Sequence, residues 1–392
     1  MTKYNFNKLI DRTNTNASKW AMLEDKNLVN KVVPCWIADM DFEMLLELKN
    51  AIINRLECPI LGYTDQKNEL KQLIVNWYNT RYNYNLNKEQ IIITTGVVFS
   101  IVNAINILTN INDTIILPTP YYHRFKDSII NSNRNILYTN MILDNNRYKI
   151  DYNTLRQSIN SNCKAIIICN PHNPTGTIYS KEEIQELVNF CKEYNLKIIS
   201  DEIHCDFNFN NNIINMVNYN DYTKANAISL LSISKTFNCA SFKVGFCVID
   251  NKDIRIKFNK LAKHNGITSI NTFGLIAIET CLKYGDTYVN ELNDYILNNK
   301  EYCYKYIKQY MPNLITNISE ATYLIWLNLN SICNDDKILR KQLINIANIL
   351  PSMGSEFGQE YNGYIRINVA CPNSQVIKIM EGLRNYYEQN TK

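Results

Sequence analysis

Three apolar segments, each followed at once by polar side chains, constrain the fold of this chain more than any other feature. The segments are Ala165–Cys169, Leu196–Ser200 and Ala227–Leu231. Short apolar runs bounded by polar turns are typical of buried strands. Because ligands bind beyond the carboxyl ends of the strands in open α/β sheets, we expect the polar residues that follow these segments to share one site.

The polar groups at the three strand ends are an asparagine motif, an acidic motif and a lysine motif. Asn-Pro-His-Asn-Pro-Thr-Gly occupies 170–176, Asp-Glu-Ile-His occupies 201–204, and Ser-Ile-Ser-Lys occupies 232–235. A lysine amine in such a place can form a Schiff base with an aldehyde cofactor, and hydroxyls beside it can hold a phosphate. Taken singly, each motif has a plain alternative, such as a surface lysine after a strand or an aspartate that caps a helix. Their occurrence together favours a site.

In this order the three motifs resemble those of the aminotransferase fold, fold type I, of pyridoxal-phosphate enzymes. More narrowly, Trp36–Phe42 is similar to the signature Trp-x-Ala-Asp-Met-Asp-Phe of the MalY/PatB subgroup, whose members are cystathionine β-lyases, or carbon–sulfur β-lyases. Ser-Lys-Thr-Phe-Asn at 234–238 and Tyr-Ile-Arg-Ile-Asn at 364–368 also fit this subgroup. The resemblance covers nearly the whole chain.

The order of elements predicts an α/β fold with a mostly parallel, doubly wound sheet. Apolar strands alternate with helical stripes such as Lys181–Tyr194. A chain of 392 residues exceeds the size at which a single core stops growing. We therefore expect a large cofactor-binding domain at 47–285 and a smaller α/β domain formed by 1–46, with an N-terminal arm, and 286–392.

Three segments outside the motifs carry local expectations. Residues 1–35 are polar and are expected to form an irregular arm. Asn140–Asn153 is expected to be a connection, and Lys337–Ile349 is expected to form one helix.

For the cofactor ring, the resemblance implies pyridoxal 5'-phosphate bound to Lys235. Asp201 would pair with the ring nitrogen and keep it protonated, which makes the ring an electron sink. Asn173 would donate a hydrogen bond to the phenolate oxygen of the ring. Ile203 would pack behind the ring, and Tyr122 would stack in front of it.

Around the stacking tyrosine the chain departs from the family pattern. Pro-x-Tyr-x-x-Phe matches at 120–125, which selects Tyr122 rather than Tyr121 and leaves its hydroxyl as a candidate for proton transfer. His123 and Arg124 stand where small residues or proline are usual. They change the charge of the pocket if they face it; the alternative is two solvent-facing side chains at the start of a helix.

For the cofactor phosphate, the resemblance implies a strand–helix turn, two serine hydroxyls, a lysine and a tyrosine from a partner subunit. A helix N-terminus presents free N–H groups that suit a phosphate. The implied residues are Gly96, Val97, Val98, Ser232, Ser234, Lys243 and Tyr63. Lys243 replaces the arginine of many relatives and lacks its bidentate fork. If Tyr63 acts in this way, the active unit is a homodimer; without the resemblance it would be interpreted as a surface aromatic.

For the substrate, the resemblance implies an amino acid held by its α-carboxylate on Arg366, a role that suits a planar guanidinium. Lys235, released when the substrate amine takes its place, would remove the α-proton. If the β-carbon carries a thiolate, its expulsion leads to pyruvate and ammonia. The residues implied to line the substrate pocket are Asn173, Ile37, Ala38 and Asp39.

Four functions compete for this set of residues. The first is a carbon–sulfur β-lyase that acts on cystathionine, cysteine or S-substituted cysteines, and the second is an aminotransferase that uses the same residues. The third is a regulator or binding module built on the cofactor fold, and the fourth is an α/β protein that carries the motifs by chance. The likeness of Trp36–Phe42 and Ser234–Asn238 to the lyase subgroup favours the first.

Composition argues against several other classes. A net charge of +4 is small for this length, and no basic stripe with interleaved aromatics suggests nucleic acid. The 12 cysteines include no Cys-x-x-Cys pair, so neither a metal site nor a disulfide framework is expected. No apolar run approaches the roughly 20 residues that a membrane span needs, and we expect a cytoplasmic protein.

Overall fold

The computed structural model describes residues 3–21, 23, 28–29, 31–210, 213–267, 269–314 and 319–391. Its contacts divide the chain into two compact units. The small unit comprises Met1–Glu43, Asn173–Gly176 and Asn290–Lys392, and the large unit comprises Met44–His172 and Thr177–Val289. The second half of the asparagine motif therefore belongs to the small unit, whereas the sequence predicts that the whole motif lies in the large domain.

Strands and helices alternate through most of the chain. The strands are β1 (Val33–Pro34), β2 (Ile91–Thr94), β3 (Thr114–Thr119), β4 (Asn135–Asp144), β5 (Arg147–Ile150), β6 (Cys163–Cys169), β7 (Lys197–Asp201), β8 (Ala227–Leu231), β9 (Gly245–Val248), β10 (Leu324–Asn328), β11 (Ile349–Leu350), β12 (Ser352–Met353) and β13 (Tyr364–Asn368). The helices are α1 (Ser18–Ala21), α2 (Leu46–Leu56), α3 (Glu69–Tyr82), α4 (Val97–Leu108), α5 (His123–Asn131), α6 (Tyr152–Ser158), α7 (Lys181–Glu193), α8 (Asp221–Asn226), α9 (Ile233–Thr236), α10 (Lys252–His264), α11 (Thr272–Tyr284), α12 (Asp286–Tyr310), α13 (Asp336–Gln342) and α14 (Asn373–Asn390).

The large unit is built on one mixed sheet with the strand order β2-β9-β8-β7-β6-β3-β4-β5. The five strands β8, β7, β6, β3 and β4 run parallel to one another, while β9 is antiparallel to both β2 and β8, and β5 is antiparallel to β4. The mostly parallel α/β sheet expected from the sequence is confirmed. Its three central strands β6, β7 and β8 are the three apolar segments that precede the motifs.

Helix α7, which connects β6 to β7, shows how the local sequence determines where a helix begins and which face it buries. Its N-terminus is closed by a capping box, in which the Ser180 hydroxyl accepts from the Glu183 N–H and the Glu183 carboxylate accepts from the Ser180 N–H. Its buried stripe includes Ile184, Leu187 and Val188, as the helical spacing predicts. The predicted helix is confirmed to within one residue at its C-terminal end.

The small unit contains a three-stranded antiparallel sheet in the order β10-β13-β12 and a parallel pair, β1 with β11. Its core packs α12 and α14 against β10 and β13 through residues such as Cys303, Ile325, Ile365 and Leu383. In the pair, Val33 is opposite Ile349, so the end of the arm that the sequence suggests is irregular forms a strand.

Two predicted elements are wrong. The segment Asn140–Asn153 is not a plain connection, because it contains the end of β4 and the hairpin partner β5. Asn145 and Asn146 turn this hairpin with φ of +49° and +61°, the conformation of a type I′ turn. The predicted helix Lys337–Ile349 ends as α13 at Gln342, continues as a π-helical turn to Ala347, and yields to β11 after Asn348, whose φ is +54°.

Within the described ranges, no helix is both long enough and apolar enough to cross a membrane.

Candidate active site

The parallel register of the large sheet brings the three motifs to one edge. Asp201, the last residue of β7, is opposite Cys169 of β6 and Leu230 of β8. The Asn170 N–H donates to the Asp201 carbonyl at 2.9 Å, and the Glu202 N–H donates to the Leu230 carbonyl at 2.8 Å. The chain therefore leaves three neighbouring strands at the same level, as the sequence predicts.

Asp201 is a buried carboxylate that suits a cationic partner. Its side chain is 3 % exposed, and its Oδ1 accepts one hydrogen bond, from the Ile203 N–H at 3.1 Å. Burial raises the pKa of Asp201 to about 7, while that N–H and the positive charge of Lys235 oppose the rise. Among the described residues Oδ2 has no hydrogen-bond donor. A protonated ring nitrogen of pyridoxal phosphate would supply both the donor and the charge.

Glu202 lies beside Asp201 but faces a different set of partners. Its carboxylate accepts hydrogen bonds from Ser229 Oγ at 2.6 Å, Asn215 Nδ2 at 2.8 Å and the Met216 N–H at 3.0 Å. Burial raises its pKa to about 7 as well, and these donors oppose the rise. Glu202 is thus satisfied by the protein itself, whereas Asp201 is not.

Lys235 lies in the single turn of α9, which Ser232 caps by accepting from the Ser234 N–H at 3.0 Å. The turn is fixed further by Thr236, whose hydroxyl donates to Asp206 at 2.6 Å. Asp206 also accepts from Trp77 Nε1 at 3.0 Å and from the Tyr82 hydroxyl at 2.6 Å. The sequence analysis did not single out Asp206; its place five residues after Asp201 in the acidic segment was the available signal.

Three of the residues predicted for the phosphate, Gly96, Ser232 and Ser234, form a cradle at the start of α4. Gly96 precedes this helix with φ of +120°, a backbone conformation that favours glycine. A β-carbon on Gly245 would lie 3.0 Å from the carbonyl carbon of Gly96, and the adjacent Val244 carbonyl accepts from Ser232 Oγ at 2.7 Å. Gly96 and Ser232 are therefore neighbours through Val244 and Gly245.

Within this cradle, the two serine hydroxyls differ in how accessible they are to a ligand. Ser232 is buried, and its Oγ lies 2.8 Å from Ser234 Oγ as well as bonding Val244. Ser234 is half-buried, which leaves its hydroxyl more accessible to a ligand. Val97 is buried and Val98 is partly exposed, so their contribution to a phosphate would come from the main-chain N–H groups of the first turn.

Tyr122 follows β3 and precedes α5, half-buried with its ring edge-on to Phe125 at 5.6 Å between centroids. Tyr121 is buried instead and stacks on Tyr138, which agrees with the choice of Tyr122 for a ligand. Arg124 is exposed and pairs with Asp127 one turn along α5 at 3.5 Å, so the solvent-facing alternative holds for it. His123 is half-buried and contacts the Tyr122 ring at 4.7 Å.

Two other residues predicted for the phosphate are exposed. Lys243 has an exposed side chain and a left-handed backbone, with φ of +51°. Tyr63 is fully exposed, in a segment between α2 and α3. Ile203, predicted to pack behind the ring, is half-buried directly after the acidic pair.

In the small unit, the structure brings Arg366 and Asn173 together. Arg366 lies on β13 and is 5 % exposed. Its Nη1 donates to Asn173 Oδ1 at 2.9 Å, and its Nη2 donates to the Trp36 carbonyl at 2.6 Å and to Ser352 Oγ at 3.3 Å. With Oδ1 engaged in this way, the amide group of Asn173 offers Nδ2 as a donor, which suits a phenolate oxygen.

Side chains of the small unit donate hydrogen bonds to main-chain carbonyls of the segment Trp36–Phe42. Asn368 Nδ2 donates to the carbonyls of Ile37 at 2.8 Å and Asp39 at 2.6 Å, and the Tyr323 hydroxyl donates to the Ala38 carbonyl at 3.0 Å. The residues predicted to line the substrate pocket are therefore fixed by hydrogen bonds to their backbone.

The carboxylates of this segment are paired with the N-terminal arm. Arg12 Nη2 contacts Asp39 at 2.6 Å and Arg12 Nη1 contacts Asp41 at 2.7 Å. Lys19 contacts Asp41 at 2.6 Å and Asp39 at 3.6 Å. The charge of Asp39 is thus neutralised, and its side chain is half-buried. Sequence reasoning missed Arg12 and Lys19, since nothing in a polar arm marks which of its cations will be paired.

Known proteins share this architecture over the full chain. Cystathionine beta-lyase PatB of Bacillus subtilis is 28% identical over 382 residues, which cover 97% of this chain and 98% of that protein. A PLP-bound putative aminotransferase from Clostridium difficile 630 superposes with a TM-score of 0.93 at 33% identity, covering 98% of this chain and 100% of that one. Cystalysin from Treponema denticola, which contains a pyridoxal 5'-phosphate cofactor, superposes with a TM-score of 0.94 at 29% identity, covering 98% and 99%.

The family model described as aminotransferase class I and II matches residues 37–383, which include all three strand-end motifs, the Trp36 signature from its second residue, and Arg366. This chain belongs to the aminotransferase class I and II family.

Proposed function

We propose that this protein is a pyridoxal-phosphate-dependent carbon–sulfur β-lyase that converts cystathionine, cysteine or S-substituted cysteines to pyruvate, ammonia and a thiol. The observation that carries the proposal is the set of hydrogen bonds that join the lyase signature to Arg366 within the small unit. Arg366 donates to the main chain of Trp36, the first residue of that signature, and to Asn173 of the asparagine motif. Full-length similarity to PatB supports the same activity.

The residues of the large unit fit the cofactor. When bound, pyridoxal phosphate supplies an aldehyde that takes up an amine and a ring that accepts negative charge. Asp201 holds the proton on the ring nitrogen, because its buried carboxylate is stabilised by a cation at that position. The first turn of α4, beginning at Val97, and the Ser234 hydroxyl donate hydrogen bonds to the phosphate. Lys235 is the attachment point.

Arg366 and Lys235 have different roles toward the substrate: Arg366 binds it, and Lys235 removes a proton from it. The Arg366 guanidinium binds the α-carboxylate through a charge-assisted hydrogen bond, which fixes the orientation of the amino acid. The Lys235 amine, freed by the incoming amino group, takes the α-proton. The bond between the β-carbon and sulfur breaks, and the thiolate leaves with the electron pair and is protonated. Addition of water to the remaining three-carbon unit releases pyruvate and ammonia.

The activity is tested by incubating the protein with pyridoxal phosphate and cystathionine without any keto acid. We expect pyruvate and free thiol in equal amounts, because β-elimination needs no acceptor. The aminotransferase alternative predicts a product that forms only after a keto acid is added. That outcome would overturn the lyase assignment, and a protein that takes up no cofactor would overturn both.

We also propose that the active unit is a homodimer. Tyr63 is fully exposed, and the end of α2 with the chain beyond it exposes an apolar row. Such a row is unusual on a monomer surface and suits an interface between copies. Its members are Ile53, Leu56, Ile60 and Leu61.

Replacing Tyr63 by phenylalanine is expected to raise the dissociation constant of pyridoxal phosphate roughly tenfold or more, the size of one hydrogen bond to a charged group. Equilibrium titration of the cofactor absorbance measures the change. Tyr138→Phe is the matched control, since Tyr138 is an exposed tyrosine on β4 with no assigned role at the site. Equal cofactor affinity in both variants would contradict the role given to Tyr63.

A further inference from the structure

A buried lysine outside the residues assigned so far binds a short segment of the small unit. Lys300 lies on α12 and its side chain is 2 % exposed. Its Nζ lies 3.0 Å from the Ser319 carbonyl, 2.6 Å from Ser319 Oγ, 2.8 Å from the Ala321 carbonyl and 2.9 Å from the Thr322 carbonyl. An ammonium group is stable in a protein interior when its protons are hydrogen-bonded, and four oxygens here surround three protons.

The segment 319–322 has a strained backbone at the point where Lys300 contacts it. Thr322 has φ of +62°, and a β-branched residue seldom adopts this conformation. Its carbonyl accepts from Lys300, and its Oγ1 accepts from the Leu324 N–H at 3.2 Å. Strain of this kind persists where the surroundings hold it, and Lys300 is one of the groups that hold it.

The same segment supports the asparagine motif. The Ala321 N–H donates to the Gly176 carbonyl at 3.0 Å. A β-carbon on Gly176 would lie 2.4 Å from Ser319 Oγ and 2.8 Å from the Ala321 carbonyl, so the two stretches of chain are in close contact. Gly176 closes the motif that contains Asn173, whose Oδ1 accepts from Arg366.

The residue that follows the segment 319–322 contacts the Trp36 segment. Tyr323, the next residue, donates its hydroxyl to the Ala38 carbonyl. Trp36, two residues before Ala38, accepts from Arg366 through its carbonyl. Both main hydrogen-bond partners that aim the Arg366 guanidinium therefore lie in stretches of chain that the segment 319–323 contacts.

We propose that Lys300 is a positioning residue for the carboxylate clamp: by binding the segment 319–322 it fixes the stretches that carry Asn173 and Trp36, and through them the direction of Arg366. The inference rests on the proposed function in giving Arg366 the substrate carboxylate. It has a simple physical basis, because a misplacement of about 1 Å in a substrate-binding group costs roughly 100-fold in rate. Burial lowers the pKa of Lys300 to about 7, and the charges of Cys303 and Glu320 oppose this effect.

The test replaces Lys300 by methionine, which keeps an unbranched apolar side chain one atom shorter and removes the three donors. In the holoenzyme we expect KM for an S-substituted cysteine to rise at least tenfold while the protein retains its cofactor absorbance, since the residues assigned to the ring nitrogen, the phosphate and the covalent attachment belong to the large unit. The dissociation constant of L-alanine, followed through that absorbance, should rise by a similar factor. This second readout needs no β-elimination, so it tests Lys300 even if the lyase assignment fails.

Two further variants separate positioning from a general loss of structure. Lys305→Met removes an exposed lysine from the same helix and should leave KM, alanine binding and thermal stability unchanged. Thr322→Gly accepts the φ of +62° without strain, so Lys300→Met combined with Thr322→Gly should regain part of the lost affinity.

If Lys300→Met does not fold, Ser319→Ala takes its place, because it removes one oxygen of the four and should raise KM and the alanine dissociation constant several-fold. Unchanged substrate and alanine affinity in a folded Lys300→Met or Ser319→Ala protein overturns the proposal. So does a loss of cofactor absorbance in parallel with affinity, which would indicate a structural role alone.

Discussion

Replacement of Lys235 by alanine is expected to reduce pyruvate release by roughly 10²–10⁴-fold or more, because the amine is both the attachment point of the cofactor and the base that takes the α-proton. The geometry supports this role, since Lys235 lies one turn beyond the end of β8 and its charge acts on Asp201 at the end of β7. Added pyridoxal phosphate should bind the variant without becoming covalently attached on borohydride treatment. Mass spectrometry of the reduced protein measures that attachment.

The matched control for this prediction is Lys260→Ala, which removes an exposed lysine from α10. It should retain full activity and take up one cofactor per chain after reduction, at Lys235. Reduction that labels a different lysine in the unmodified protein would show that the strand-end lysine is not the attachment point.

Replacement of Asp201 by asparagine is expected to lower kcat by roughly 10²–10³-fold, the cost of removing one preorganised electrostatic group from a buried site. The substitution keeps the shape of the side chain and its bond to the Ile203 N–H, but it removes the charge that holds a proton on the ring nitrogen. The cofactor absorbance should change as well, because the protonation of the ring changes. Steady-state kinetics and absorbance spectra measure the two effects.

The same variant should alter how stability depends on pH. The pKa of Asp201 is about 7 in the folded, cofactor-free protein and 3.8 ordinarily, so the unfolded chain loses its proton first as pH rises. Between about pH 4 and pH 7 the free energy of unfolding should therefore fall, by roughly 4 kcal/mol from this group at about 1.4 kcal/mol per pKa unit. Urea unfolding of the cofactor-free protein across that range measures the fall, and Asp201→Asn should lack this contribution.

Glu202→Gln provides the comparison for the effects of Asp201→Asn on cofactor absorbance and on stability. Glu202 is as buried as Asp201, but its carboxylate is bound by Ser229, Asn215 and Met216. We expect Glu202→Gln to reduce stability and to leave the cofactor absorbance unchanged. If the two variants gave the same spectrum, the distinction drawn between these carboxylates would be wrong.

The sequence predicted the large sheet well because its signals are local. Each of β6, β7 and β8 is a short apolar run that stops at a polar cluster, and parallel pairing follows from the helices between them. The sequence predicts a connection at Asn140–Asn153 and not the hairpin of β4 and β5, because asparagines are common in turns and loops. Asn145 and Asn146 instead tolerate the positive φ that a tight hairpin requires.

Some residues of the candidate site could likewise be predicted from local sequence, and others could not. Asp201 and Lys235 were identifiable because each belongs to a polar motif at the end of an apolar strand, which indicates its place in the fold. Arg12, Lys19 and Lys300 were not, because their partners are distant in sequence and a lysine or arginine that the fold buries looks the same in the sequence as an exposed one. Arg12, for example, is 27 residues from Asp39. Long-range pairing of this kind is set by packing, which single-residue patterns do not encode.

The ion pairs between the arm and the Trp36 segment join the first residues of the chain to the segment that is predicted to line the substrate pocket. Clipping the chain by a protease between Lys19 and the signature would leave Asp39 and Asp41 as adjacent negative charges without their covalently linked counterions. Resistance of the arm to limited digestion would thus report whether the ion pairs of Asp39 and Asp41 are formed, with no need for a catalytic assay.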